Sequence, residues 1–138
     1  MKLQKNTLLA LYSVLEFAGR PEALVPAAEV AHKHGESAHH LAKVLSELSR
    51  AGIVESVRGV GGGYRFIANP RRLTLLDVIA LFERLDSQTA AAAPANAVDA
   101  ALGSVLIEID EIARATFGSI TVATMLKMID KAEGRGGR

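Results

Sequence analysis

The run SAHHLAKVLSELSRAGIVESVRGVGGGYRFI, residues 37–67, decides how this chain is read. Its first half is helical by spacing: Leu41, Val44, Leu45 and Leu48 fall at i, i+3, i+4 and i+7, one inward stripe. Ser37 offers a capping hydroxyl, and Gly52 closes the helix just after Ala51. The second half changes period. Ile53 to Val57 reads as a strand and Tyr64 to Ile67 as its return, joined by Arg58-Gly-Val-Gly-Gly-Gly63 with four glycines in six residues. Such a loop can adopt positive φ and lets backbone N–H groups come close to a ligand.

Upstream, Leu8, Leu11, Leu15 and Ala18 predict a helix over about 7–18, ended by Gly19-Arg20-Pro21. Pro26 suits a first helical position, Val30 and Ala31 give a short apolar face, and Gly35 suits a left-handed stop. Two short helices, a tight turn and a longer third helix form a helix-turn-helix, and the hairpin makes it a winged helix. The fold class is therefore mainly α with a small β-hairpin wing, plus a long C-terminal helix.

Downstream, a helix is expected over 73–85, capped by Thr74, with Leu75, Ile79 and Phe82 buried. Residues 86–97, DSQTAAAAPANA, read as an alanine-rich linker. Beyond it Val98, Leu102, Val105, Ile109, Ile112 and Thr116 step by four and three alternately, with Leu106 beside them. That is the seam of a coiled coil, sustained for about 28 Å at about 1.5 Å per residue. Glu108, Asp110, Glu111 and Arg114 take the other face, and Thr121 to Ile129 is a last amphipathic segment that can pack back. The organisation expected is a DNA-binding domain at 1–85, a linker at 86–97, dimerisation helices at 98–132 and a disordered tail at 133–138.

Composition narrows the function. The 138 residues are 49% hydrophobic, ordinary for a globular chain, and contain no cysteine. Disulfides, thiolate metal sites and cysteine nucleophiles are thereby excluded. No apolar run approaches the roughly 20 residues of a membrane span, and no signal peptide is evident, so a cytoplasmic protein is expected. The net charge of +1 hides an asymmetry: residues 1–72 hold ten Lys and Arg against six Glu, whereas residues 73–138 hold six basic against nine acidic groups. Only the basic front half suits a polyanion.

Leu41-Ala-Lys-Val-Leu-Ser-Glu-Leu-Ser-Arg-Ala-Gly-Ile-Val54 followed by Ser56-Val-Arg-Gly-Val-Gly-Gly-Gly-Tyr64 resembles the Rrf2 family of bacterial transcriptional regulators. The opening Met1-Lys-Leu-Gln-Lys-Asn-Thr7, Thr74-Leu-Leu-Asp-Val-Ile79 and Ile120-Thr-Val-Ala-Thr-Met-Leu126 are similar as well. The resemblance covers nearly the whole chain and implies a homodimeric winged-helix DNA binder whose long C-terminal helices cross. Two departures stand out. Glu36 occupies a helix-helix turn position that is usually apolar in the family. Well-studied members also hold an iron–sulfur cluster on three cysteines in the loop corresponding to 86–103, where this chain has alanines at 90–93, 95 and 97. Either the chain is a naturally cluster-free branch, or loop alanines stand in place of native cysteines; only in the second case is a cluster implied. As given, the chain has no cofactor.

In a helix-turn-helix the third helix enters the major groove of double-stranded DNA. His39, Lys43, Ser46 and Arg50 lie opposite its buried stripe. Lys43 suits guanine or phosphate, His39 and His40 either, and Ser37 with the first free amides a phosphate oxygen. Arg58 and Arg65 flank the wing loop, where Gly61 and Gly62 permit close approach; Lys2 and Lys5 are further phosphate candidates. Glu47 on the same face either reads a cytosine amino group or points away. Tyr64 is expected in the core of the wing.

His32, His34, His39 and His40 fall within nine residues, but no pair sits at i, i+4 on one face, so solvated or phosphate-facing histidines are expected rather than a metal site. Their protonation predicts tighter DNA binding at about pH 6 than at about pH 8. The leading function is a sequence-specific regulator, a repressor if it occludes a promoter, acting as a dimer on a two-fold operator. The alternative is a winged-helix adaptor that binds proteins, against which the Arg58/Arg65 pair argues. No converging carboxylates and no Ser/His/Asp set suggest an enzyme. The signal is unread: an unidentified small-molecule effector, a partner protein or none.

Overall fold

The computed structural model describes residues 3–83 and 93–134. Its elements, in order, are α1 (Lys5–Ala18), α2 (Ala27–Lys33), α3 (Ala38–Arg50), β1 (Val54–Val57), β2 (Gly63–Phe66), α4 (Leu75–Ile79), α5 (Ala97–Ser119) and α6 (Val122–Ala132).

The core of the winged body lies where α1, α3 and the hairpin meet. Leu41, Val44, Leu45 and Leu48 of α3 are all buried, as their spacing demands. Each contributes about 1.5–3 kcal/mol by leaving water. They pack with Leu9, Ala10, Val14 and Phe17 of α1 and with Val30, Val54 and Val78. The face of α1 differs from the expected one. Leu8 is 36% exposed and Leu11 and Leu15 are only partly covered, while Ala10, Val14 and Phe17 carry the core. The cause is tertiary: α1 is contacted by α3, α4, β2 and α6, and this broad envelope selects a face that apolar spacing alone leaves open.

β1 and β2 pair antiparallel, with Val54 opposite Phe66 and Val57 opposite Gly63. The hairpin is fastened to the body by a bridge from Tyr64 to Val25, two backbone hydrogen bonds of 2.9 Å each. Gly63 is required there, because a Cβ at that position would lie 2.7 Å from the Val25 carbonyl. Tyr64 is half-buried and its ring stacks on Phe17 at a centroid distance of 6.0 Å, so it belongs to the packing of the wing.

Several boundaries move. Pro26 is the cap of α2 and Ala27 its first residue. The helix expected over 73–85 is short, Leu75–Ile79, and continues only as turns through Phe82; residues 84 and 85 lie outside the described residues. Its start is a full capping box, with the Thr74 hydroxyl accepting from the Asp77 amide and the Asp77 carboxylate accepting from the Thr74 amide. Residues 86–92 of the expected linker, and 135–138 of the expected tail, also lie outside the described residues. Thr74 bridges to Thr121, and Val122 donates to the Leu73 carbonyl at 2.8 Å, which joins the α5–α6 corner to α4. Among the described residues, no helix is long and apolar enough to cross a membrane.

Candidate nucleic-acid interface

The site begins at the turn between α2 and α3. Gly35 takes a positive φ of 64°. The Ser37 hydroxyl accepts from the His40 amide at 3.1 Å, so it caps α3 and keeps only its own proton for a phosphate. Glu36, polar where the family is apolar, ties the turn down. Its carboxylate is 3.0 Å from the Lys5 ammonium and accepts from the Ser37 amide at 3.1 Å. The hydrogen bond from Lys5, then that from Ser37, holds the Glu36 carboxyl below its ordinary value. Glu36 therefore connects the start of α1 to the start of α3 in place of an apolar contact.

On α3, His39, Lys43, Ser46 and Arg50 are exposed, opposite the buried stripe. His39, Lys43, Ser46 and Glu47 line a concavity of about 500 Å³ together with Asn6 and Phe82. Asn6 had no signal in the sequence; it reaches this surface because α1 packs on α3. Its amide has the donor and acceptor that suit an adenine edge. His40 differs from expectation: it is half-buried, and its Nε2 is enclosed with no hydrogen-bond partner, so in this conformation it does not present itself to a base.

The basic candidates divide into two groups. Arg50 pairs with Glu47 at 2.6 Å, Arg65 with Glu55 through its Nε at 2.9 Å and a second nitrogen, and Lys5 with Glu36. Lys43 and Arg58 carry no ion pair among the described residues and are exposed, so their charge is fully available to an anion. Lys2 lies outside the described residues. In the wing, Gly61 has φ 77° and the Gly62 amide donates to the Gly59 carbonyl at 3.0 Å, closing the loop.

The histidines do not converge. His34, expected in solvent or on phosphate, instead stacks on Tyr12 at 4.8 Å with its Nε2 3.9 Å from a Glu16 oxygen. Among the described residues, no three His, Cys, Asp or Glu side chains are grouped to hold a metal. The seam residues of α5 are open: Val98, Leu102, Val105, Ile109 and Ile112 are all exposed, as is Leu106.

A capped helix presenting free cations, beside a glycine-tipped hairpin, defines a winged-helix DNA-binding transcriptional regulator. Comparison with known proteins agrees. Residues 3–128 match the family model of Rrf2, described as iron-dependent transcriptional regulators, and the chain belongs to this family. It is 52% identical over 132 residues, 94% of this chain and 84% of the relative, to a protein of Rhodopseudomonas palustris named as the HTH-type transcriptional regulator BadM. It is 37% identical over 89 residues to the HTH-type transcriptional regulator IscR of Aliivibrio salmonicida, a match spanning 63% of this chain and 53% of that protein. Among solved structures, IscR of T. potens superposes with a TM-score of 0.73 at 26% identity, covering 96% of this chain and 91% of that one. CymR of B. subtilis shares the fold, with a TM-score of 0.78 at 24% identity over 93% of this chain and 98% of that one.

The family description speaks of iron, and the donor set here does not fit a thiolate-held cluster. The whole chain contains no cysteine, and the described His, Asp and Glu are dispersed.

Proposed function

We propose that this regulator works in the cytoplasm as a homodimeric repressor, without an iron–sulfur cluster, on a two-fold operator. The observation that carries the dimer is α5. It runs for 23 residues, about 34 Å at the usual rise, and buries none of them. Val98, Leu102, Val105, Leu106, Ile109 and Ile112 form a contiguous apolar face in water, and a second copy of the same heptad-spaced seam is the matching cover. Each protomer then offers one α3 to a major groove, with half-sites about one helical turn or a multiple of it apart. Lys43, His39 and Arg58 are the contacts with charge or donors to spare; Ser37, Arg50, Arg65 and Lys5 contribute after giving up or sharing their present partners. Occlusion of a promoter by such a dimer gives repression.

The test is sedimentation of the full chain with anisotropy titration against its own upstream DNA. A dimer that binds selectively and weakens steeply with salt supports the proposal. A monomer, or binding that is equal on unrelated DNA, overturns it and favours the protein-adaptor alternative.

A further inference from the structure

Val60 is the apex of the wing and is fully exposed, at 110% relative accessibility, more than any other large apolar residue described. Solvent is a poor place for an isopropyl group, and nothing in the loop shelters it. The loop is also stiffly shaped. Gly59 and Gly61, on either side of Val60, hold φ values of 104° and 77°, and the bond from the Gly62 amide to the Gly59 carbonyl closes the turn. A Cβ on Gly62 would lie 2.2 Å from the Val57 carbonyl, so the two arms of the loop nearly touch. The base of β2 is held by the bridge between Tyr64 and Val25. The tip is thus narrow and pre-organised. Its neighbouring charge is of one sign: Arg58 is free of ion pairs, and Glu55, the nearest carboxylate along the hairpin, is neutralised by Arg65.

A thin tip with one apolar group and one free guanidinium fits the DNA minor groove, whose walls are deoxyribose C–H groups and whose potential draws arginine. We propose that Val60 is a specificity-determining contact of this regulator: its isopropyl group lies against the minor-groove walls and floor beneath the wing and selects A·T pairs there. The reason is the guanine 2-amino group, the one donor that a G·C pair adds to the floor. Beneath an isopropyl group that donor loses water and gains no acceptor. The inference rests on the DNA-binding reading and adds to it a sequence preference carried by an uncharged residue.

The experiment uses the full chain. Its preferred site is first selected from a randomised DNA pool, and hydroxyl-radical footprinting maps the pairs under the wing. At those pairs A·T is replaced by G·C or by inosine·C, which resembles G·C in the major groove but lacks the 2-amino group. For the wild-type chain, G·C should weaken binding about tenfold and inosine·C less than about twofold. For Val60→Ala both replacements should fall below about twofold, while Val60→Thr, with the same shape, should retain most of the discrimination. Thermal melting should be unchanged in both variants, since Val60 touches nothing in the fold. Retention of the full G·C penalty by Val60→Ala, or equal penalties for G·C and inosine·C in the wild type, would overturn the assignment while leaving DNA binding intact. Failure to select any site would overturn the DNA-binding reading, and this inference with it.

Discussion

Helices α1 and α5 are built from comparably apolar sequence and meet opposite surroundings. Seven of the 14 residues of α1 are buried, whereas α5, with 23, buries none. Four other elements surround α1, so even Thr7 and Ser13 are enclosed, the latter by donating to the Leu9 carbonyl at 2.8 Å. The main contact of α5 is with α4, where Gly118 meets Leu76 near its end. The contrast teaches that apolar content sets the demand for burial but not who supplies it. The apolar positions of α5 repeat at the spacing a second helix requires, and within one chain that helix is missing.

The largest expected effect breaks this contrast from the α5 side. Leu102→Glu combined with Ile109→Glu should give monomers in sedimentation and weaken binding to a two-fold operator by about 100-fold or more, because the second half-site no longer adds its effective concentration. A stable dimer after both changes would mean that the seam is not the interface. From the other side, Leu45→Ala removes a wholly buried side chain and should cost about 2–5 kcal/mol in urea unfolding, with no dependence on protein concentration. Leu102→Ala should instead make the melting temperature depend more strongly on concentration, the signature of a contact between copies.

A third prediction sharpens the division among the basic residues. Lys43→Ala and Arg58→Ala should each flatten the salt dependence of DNA binding by about one unit of slope, as loss of a phosphate contact does. Arg50→Ala and Arg65→Ala should change it less, since Glu47 and Glu55 already neutralise those guanidinium groups.

The smallest effect concerns Glu36. Its folded-state pKa lies below the ordinary value of 4.5, chiefly through the hydrogen bond from Lys5. The unfolded chain therefore binds the proton better. The associated stabilisation is complete above that ordinary value and is lost as pH falls through the lower, folded-state value. Lys5→Met should move the acid-unfolding midpoint to higher pH, followed by circular dichroism, and added salt should shrink the difference because Lys5 is largely exposed.

Much of the winged body was legible because its signals are local. The α3 stripe, the Ser37 cap, the glycine loop and the Thr74 cap all come from residues a few positions apart, and helical period or turn chemistry interprets them directly. Less legible was anything set by packing between elements. The buried face of α1 was displaced from the expected one, α4 proved shorter than its apolar pattern, and His34 found Tyr12 and Glu16. In the site, the exposure of Lys43 and the glycine wing followed from pattern, but the enclosure of His40 and the presence of Asn6 did not.

The sequence by itself determined the element types, the order that makes a winged helix, and the heptad-like face of α5, since each depends on spacing along one stretch of backbone. Only the tertiary structure decided which cations are free, that Glu36 bridges α1 to the recognition helix, and that Val60 stands alone at the tip. These depend on groups up to dozens of residues apart along the chain, and distance along a chain carries no information about distance in space until the core has closed.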